Sequence, residues 1–262
     1  MIPAIHRSTS LLFCVVAVWC TNAAGEPSAV IDSFQNRLSR VSVFSASIER
    51  LQVYRGVRRS GRGGVVFDRS QGCLYTYQTP GRYRFFSSDS TAWGVNLKKN
   101  TGWREWREGT APLGADLRLR INPLLRLFGL LVIDKNKFTY RGNRDDLLLF
   151  SLPLPEGRHC CIGFDVPSYQ CRIIETFDTT GALLDKTVFA YGKQAVSVGL
   201  PANITITERI GAEVSVDSIV LKRPRINAKL PKGAFDVPDG ISWRTLQGDS
   251  LLKEQFDRVP GR

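Results

Sequence analysis

The alternation of apolar and polar positions divides the chain into one helix followed by many strands. Val30, Ile31, Phe34, Leu38 and Val41 recur at helical spacing, while Arg37 and Arg40 stay on the polar side. Glu26-Pro27-Ser28 supplies the start signal, since proline is tolerated in a first helical turn. From Val43 the period falls to two. Phe44, Ala46 and Ile48 alternate with Ser45, Ser47 and Glu49, the pattern of a strand with one buried face. The same reading predicts strands at 64–69, 73–78, 83–88, 92–97 and 102–107, joined by Gly, Pro, Ser and Asn turns that imply an antiparallel meander. A helical insert is predicted over 112–131, where Asn122-Pro123-Leu124-Leu125-Arg126-Leu127-Phe128-Gly129 is apolar over most of its surface. Strands resume at 137–141, 147–152, 160–164, 169–177, 183–191, 203–208 and 214–221, with hairpin turns at 165–168 and 178–181.

Eleven to thirteen strands with two or three helices predict a mainly β fold with some α. The expected architecture is a curved, unclosed antiparallel β-sheet (a half-barrel), with the helices lidding its concave apolar face, because an open apolar face must be covered. No linker-like stretch or long internal repeat divides the chain, so residues 25–248 read as one domain and 249–262 as a C-terminal tail.

The first 24 residues fall outside that pattern. Arg7 gives a positive start, Leu11 to Cys20 form a ten-residue apolar run, and Thr21-Asn22-Ala23-Ala24-Gly25 offers the small residues of a cleavage site. This reads as a cleaved signal peptide, with a buried N-terminal helix as the competing reading. A lipoprotein signal fits less well, because Trp19 precedes Cys20 and Phe13 precedes Cys14 where a small residue belongs. The expected location is the periplasm.

Composition changes the picture in two ways. At 262 residues with 36 Lys+Arg against 24 Asp+Glu, the chain carries a formal charge of +12, and removing 1–24 takes away one arginine and no acid. The densest basic clusters, Arg55-Gly56-Val57-Arg58-Arg59-Ser60-Gly61-Arg62 and Lys222-Arg223-Pro224-Arg225, lack the stacking motifs of nucleic-acid binders. They fit anionic headgroups, an acidic partner or a merely solvated loop. Export also makes disulfides the default for Cys73, Cys160, Cys161 and Cys171. Cys160 and Cys161 point to opposite faces of a strand, so at most one of them can bridge Cys171 across the 165–168 turn, the alternative being free buried thiols.

Chemistry is scarce. After export His159 is the one histidine left, which is too little for a zinc site and poorly placed for a Cys-His dyad. No G-x-S-x-G, H-E-x-x-H or P-loop pattern is present. The expectation is a protein with no catalytic residue, no metal and no cofactor; an exported hydrolase is the competing class, with His159 as its weak point.

Several segments, in order, resemble the periplasmic outer-membrane lipoprotein carriers (LolA-like proteins). Phe44-Ser45-Ala46-Ser47-Ile48-Glu49-Arg50 after the opening helix is similar to the family's F-x-A-x-F-x-Q strand. Gly61-Arg62-Gly63-Gly64-Val65-Val66-Phe67-Asp68-Arg69 resembles G-x-G-x-L-W-V-K-R-P, with Ser70 in place of the proline and Asp68 in place of the lysine. Leu74-Tyr75-Thr76-Tyr77-Gln78-Thr79-Pro80 resembles F-x-W-x-Y-x-x-P, and Phe86-Ser87-Ser88-Asp89-Ser90-Thr91-Ala92-Trp93 takes the place of V-S-D-G-K-x-L-W. Near the C-terminus, 230–240 is similar to F-x-x-x-P-x-G.

The resemblance implies an apolar cavity under a helical lid that carries the acyl chains of lipoproteins from an inner-membrane release complex to an outer-membrane acceptor, as a monomer. Burying an acyl chain is worth about 0.8 kcal/mol per CH₂, so such cargo needs a shield to cross water. By position Arg69 corresponds to the family's arginine that latches the lid through helix carbonyls; its bland reading is a surface arginine. Leu124, Leu125, Leu127, Phe128 and Leu131 are the lid candidates, and Tyr75, Tyr77, Phe85 and Trp93 the candidates for lining the cavity, with core packing the alternative for all of them. Alternation does not reveal which face is concave. A sensor on the same fold and a carrier of glycolipid are the alternative functions.

Overall fold

The computed structural model describes residues 27–79, 81–88, 91–106, 123–192 and 199–245. The predicted signal peptide, the first part of the helical insert and the C-terminal tail lie outside the described residues.

Helix α1 (Pro27–Leu38) opens the domain and leads into β1 (Val43–Tyr54), β2 (Val57–Asp68), β3 (Gly72–Thr79), β4 (Tyr83–Ser87), β5 (Thr91–Asn96) and β6 (Thr101–Trp106). Helix α2 (Pro123–Gly129) follows, then β7 (Thr139–Arg144), β8 (Leu147–Pro153), β9 (His159–Asp165), β10 (Cys171–Phe177), β11 (Leu183–Ala190), β12 (Asn203–Ile210), β13 (Glu213–Ile226) and the short β14 (Ser242–Thr245). The strands form one curved, unclosed 14-stranded sheet in the order β14-β6-β5-β4-β3-β2-β1-β13-β12-β11-β10-β9-β8-β7. All neighbours are antiparallel except β14, which runs parallel to β6.

The order shows two meanders, β1–β6 and β7–β13, joined along β1 and β13. Ile48 stands opposite Leu221 and Tyr54 opposite Ser215 in that seam. On one face the alternate residues Phe44, Ala46 and Ile48 of β1, Val65 and Phe67 of β2, Phe150 of β8, Ile162 and Phe164 of β9 and Ile204 of β12 are buried together with α1 and α2. This is the period-two pattern acting as expected: the concave face collects the apolar residues, and the helices cover what one open sheet cannot bury against another. Phe34 of α1 meets Phe164 edge-on, with ring centroids 5.1 Å apart.

β1 and β2 are longer than the sequence pattern predicts. β2 begins at Val57 instead of 64, so most of the first basic cluster is strand. Its inward positions include Gly61 and Gly63, and those of β1 include Arg50, Gln52 and Tyr54, so the apolar signal fades although the ladder continues. Gly63 is required sterically: a Cβ there would sit 1.8 Å from the Thr76 carbonyl oxygen, at the bulge where β2 meets β3. The strand β14 was not foreseen.

The chain between β13 and β14 crosses the outer face of the first meander as a strap. Phe235, Ile241 and Trp243 pack there on Leu74, Trp93 and Val95, and Arg84 donates to the carbonyls of Ala234 (2.8 Å) and Asp236 (3.1 Å). Asn227 anchors the start of the strap by accepting from the Ser42 backbone N–H and hydroxyl, both at 2.9 Å.

The disulfide expectation is corrected: Cys73, Cys160, Cys161 and Cys171 are free thiols. The reason is register. Cys161 lies opposite Glu175 and Cys160 opposite Thr176, whereas Cys171 lies opposite Phe164. Cys171 is therefore offset from Cys161 by three residues, about 10 Å along the strand, beyond the roughly 7 Å Cα separation a disulfide tolerates. Cys73, Cys160 and Cys171 serve as small apolar core residues instead.

Candidate functional site: the concave face and its helical cover

Beside α1, the concave face is filled by a short helix and the turn after it. Leu124 and Leu127 of α2 are fully buried, and Phe128, Leu130 and Ile133 join them in the same cluster. Phe128 stacks on Phe67 with centroids 3.8 Å apart. Leu131 is half-buried against this core; the side chain of Leu125 lies outside the described residues. Tyr75 and Tyr77 of β3 are buried on the same face and Phe85 packs against it. Trp93 does not join them. It pairs with Phe86 across β4 and β5 on the outer face, under the strap.

Towards the β1–β2 and β12–β13 turns the same face becomes polar. Asp185 of β11 stands opposite Glu208 of β12, and Glu208 opposite Ser215 of β13, with Asp217 two residues further along β13. Two arginines meet these carboxylates. Arg126 projects from α2, side chain 7% exposed, and its guanidinium hydrogen-bonds to Asp185, to the Thr187 hydroxyl at 2.7 Å and to the Thr176 hydroxyl at 3.4 Å. Arg50 of β1 donates through Nε to both Asp217 carboxylate oxygens at 2.8 Å and through Nη1 to the Tyr77 hydroxyl at 3.1 Å. Burial alone would depress both guanidinium pKa values, but Asp185 and Asp217 outweigh it and raise them above the ordinary arginine range. Both arginines are permanent cations.

α1 and the chain after α2 are tied to each other and to the rim. Gln35 donates to the carbonyls of Leu130 and Ile133, both at 2.9 Å, and Lys135 pairs with Asp32 at 3.0 Å. At the end of β2, Arg69 Nη2 donates to the carbonyls of Ser39 and Val41, both at 2.7 Å, and reaches that of Leu38 at 3.4 Å. A cation at a helix C-terminus satisfies orphan carbonyls and meets the negative end of the dipole. Ser70, where the resembled motif has proline, gives a different local turn: Asp68 Oδ1 accepts from its backbone N–H at 2.8 Å and its hydroxyl at 2.6 Å.

Sequence reasoning missed the Arg126–Asp185 and Arg50–Asp217 pairs. A signal existed for the first, because Arg126 interrupts an otherwise apolar helix and Asp185 and Thr187 share the inward phase of Phe189. His159 stacks on Phe177 with centroids 5.0 Å apart. Burial raises the Cys160 thiol above its usual range, which removes thiolate character rather than creating it.

No protein-family model matches the sequence, and no curated protein does. Among solved structures the chain is similar to a domain assigned to outer membrane lipoprotein sorting from Vibrio parahaemolyticus, at 13% identity and TM-score 0.56 over 79% of this chain and 95% of that one. It is also similar to a LolA superfamily protein from Nitrosomonas europaea, at 10% identity and TM-score 0.54 over 80% and 96% of the two chains. A DUF1329 family protein from Desulfovibrio piger matches at 10% identity and TM-score 0.57 over 79% and 96%. The chain is thus built on the LolA-like fold, an open curved sheet whose concave face is covered by helices.

Proposed function

We propose that this protein is an exported periplasmic carrier that binds the acyl chains of lipoproteins on its concave face and passes them from an inner-membrane release complex to an outer-membrane acceptor. The observation that carries this reading is the nature of the cover. Beside α1, the apolar bed is filled by the side chains of a seven-residue helix and its following turn. A helix that short has little stability of its own in water. The Leu and Phe side chains of this helix, with Leu130 and Ile133 after it, present the same chemistry as an acyl chain, so cargo can replace them with little net loss of buried apolar area.

In this reading α2 is the removable lid, with Leu124, Leu127, Phe128 and Leu131 as its apolar contacts. Arg69 holds α1 in the closed arrangement through the carbonyls it binds. No catalytic residue and no cofactor is assigned. The fold likeness to the Vibrio parahaemolyticus domain assigned to lipoprotein sorting supports the reading.

The test is purification of the protein from its own periplasm, followed by native mass spectrometry and identification of whatever is bound. Acylated proteins should co-purify and be lost in Phe128→Asp. A protein that retains no acylated polypeptide, and takes up none when offered a triacylated peptide, refutes the carrier reading. Retention of glycolipid or phospholipid alone would change the cargo class and equally refute the lipoprotein assignment.

A further inference from the structure

The polar end of the sheet carries a feature that the carrier reading leaves unused. β1 and β2 are joined by the two-residue turn Arg55-Gly56, both residues with positive φ (51° and 72°), as a twist-matched tight hairpin requires. β12 and β13 are joined by the equally short Gly211-Ala212, with Gly211 at φ 62°. Because β1 pairs with β13, the two turns lie side by side, and Arg55 Nε approaches Glu213 Oε1 at 3.9 Å. The flanking residues 54–59 and 209–214 contribute three exposed arginines, Arg55, Arg58 and Arg209, against the one exposed carboxylate of Glu213.

Aliphatic side chains stand among these charges. Val57 and Val214 are each 53% exposed, and the Arg55 guanidinium lies over the Tyr54 ring, 5.2 Å from its centroid. We infer that the paired β1–β2 and β12–β13 turns are a rigid edge that docks on an anionic bilayer surface. Arginines there would meet headgroup phosphates, which they bind in a bidentate fashion. Val57, Val214 and the Tyr54 ring would enter the interfacial layer, where amphipathic and apolar groups replace water favourably. An acidic protein surface would satisfy the arginines but offers nothing specific to the exposed valines, Val57 at the start of β2 on one face and Val214 beside Glu213 on the other. Tight two-residue turns present these groups with little ordering cost. The inference concerns a different part of the molecule from the cargo bed and stands whether or not the carrier reading holds.

The test is co-sedimentation of the purified protein with phosphatidylcholine vesicles, with and without phosphatidylglycerol, across a salt series. Binding should require phosphatidylglycerol and weaken steeply with salt. Arg55→Glu/Arg58→Glu should lower partitioning at least about tenfold, since each cation near a charged surface contributes of order a factor of five. Val57→Asp should reduce the binding that remains at high salt. Lys229→Glu/Lys232→Glu, the same charge change at exposed lysines just beyond the far end of β13, away from the two turns, should leave binding within about twofold. Equal losses in the two double variants would reduce the effect to net charge and overturn the inference. So would binding unaffected by Arg55→Glu/Arg58→Glu, binding to neutral vesicles alone, or no binding to either.

Discussion

Replacing Arg126 by methionine keeps most of the aliphatic volume of the side chain and deletes its charge. Asp185 is 5% exposed, and it would keep the Thr176 hydroxyl, which donates to it at 3.3 Å, but lose its cation. Removing one partner of a buried pair costs about 3–5 kcal/mol, because the remaining charge stays desolvated. Set against a urea dependence of about 2–3 kcal/mol per molar for a chain of this size, the unfolding midpoint should fall by roughly 1–2 M. The double variant Arg126→Met/Asp185→Leu removes both charges, and should recover most of that loss, since an apolar pair of similar volume is close to neutral. The assay is urea unfolding followed by tryptophan fluorescence, with hydrogen exchange of the 123–133 amides as a local readout. If the pair pins α2, exchange there should accelerate in Arg126→Met and slow again in the double variant. An unchanged midpoint and exchange rate in Arg126→Met, or a double variant no better than the single one, would refute the view that this ion pair fastens the cover to the sheet.

Other outcomes are expected from the same contacts. Arg69→Ala removes two short charge-assisted hydrogen bonds to the end of α1 and should cost about 2–3 kcal/mol, with faster amide exchange confined to 27–41; Arg69→Lys should recover only part of it, and equal protection in all three proteins would contradict the assignment. Phe128→Ala should cost about 3–5 kcal/mol through loss of the stack on Phe67, measured by thermal or urea unfolding. Gly63→Val should yield no soluble folded protein, because its Cβ would overlap the Thr76 carbonyl; a soluble variant with native circular dichroism would count against the β2–β3 register. In alkylation followed by intact mass, half-buried Cys161 should label first in the folded state while Cys160 and Cys171 resist. Burial raises all three thiols, so the rate at Cys161 should still be climbing at about pH 9; a plateau near neutral pH would show an activated thiolate instead.

Much of the fold was legible because the concave face obeys period two wherever it is apolar. Phe44, Ala46 and Ile48 announce β1, and Leu148, Phe150 and Leu152 announce β8. Legibility failed where the buried positions are polar or bare. Arg50, Gln52, Gly61 and Gly63 hide the far halves of β1 and β2, so Arg55–Arg62 reads as a loop until the ladder is seen. It failed again for the cysteines, since adjacency and an oxidising compartment suggest a bridge, but only the register of β9 on β10 shows that Cys171 is out of reach. Of the cavity candidates, Tyr75 and Tyr77 share a face with the core while Trp93 belongs to the other side. One residue of phase separates the two outcomes, and alternation alone cannot say which phase is concave. The buried ion pairs were the least visible, because a partner 59 positions away, as Asp185 is from Arg126, leaves no local trace.

The strap between β13 and β14 gives the chain a topology of enclosure. β13 adds to one edge of the first meander, at β1, and β14 adds to the other, at β6, while 227–241 passes across its back. One continuous stretch of the second half therefore clasps the first half on both flanks. Until residue 245 has emerged from the ribosome, the β6 edge has no strand beside it, so the final strand acts as a completion step that covers an open edge. The same arrangement makes the protein a natural split pair. Fragments divided within 107–122 would each hold a whole antiparallel meander, and reassembly would register two separated edges at once, a geometric check that a mispaired or swapped partner cannot easily satisfy.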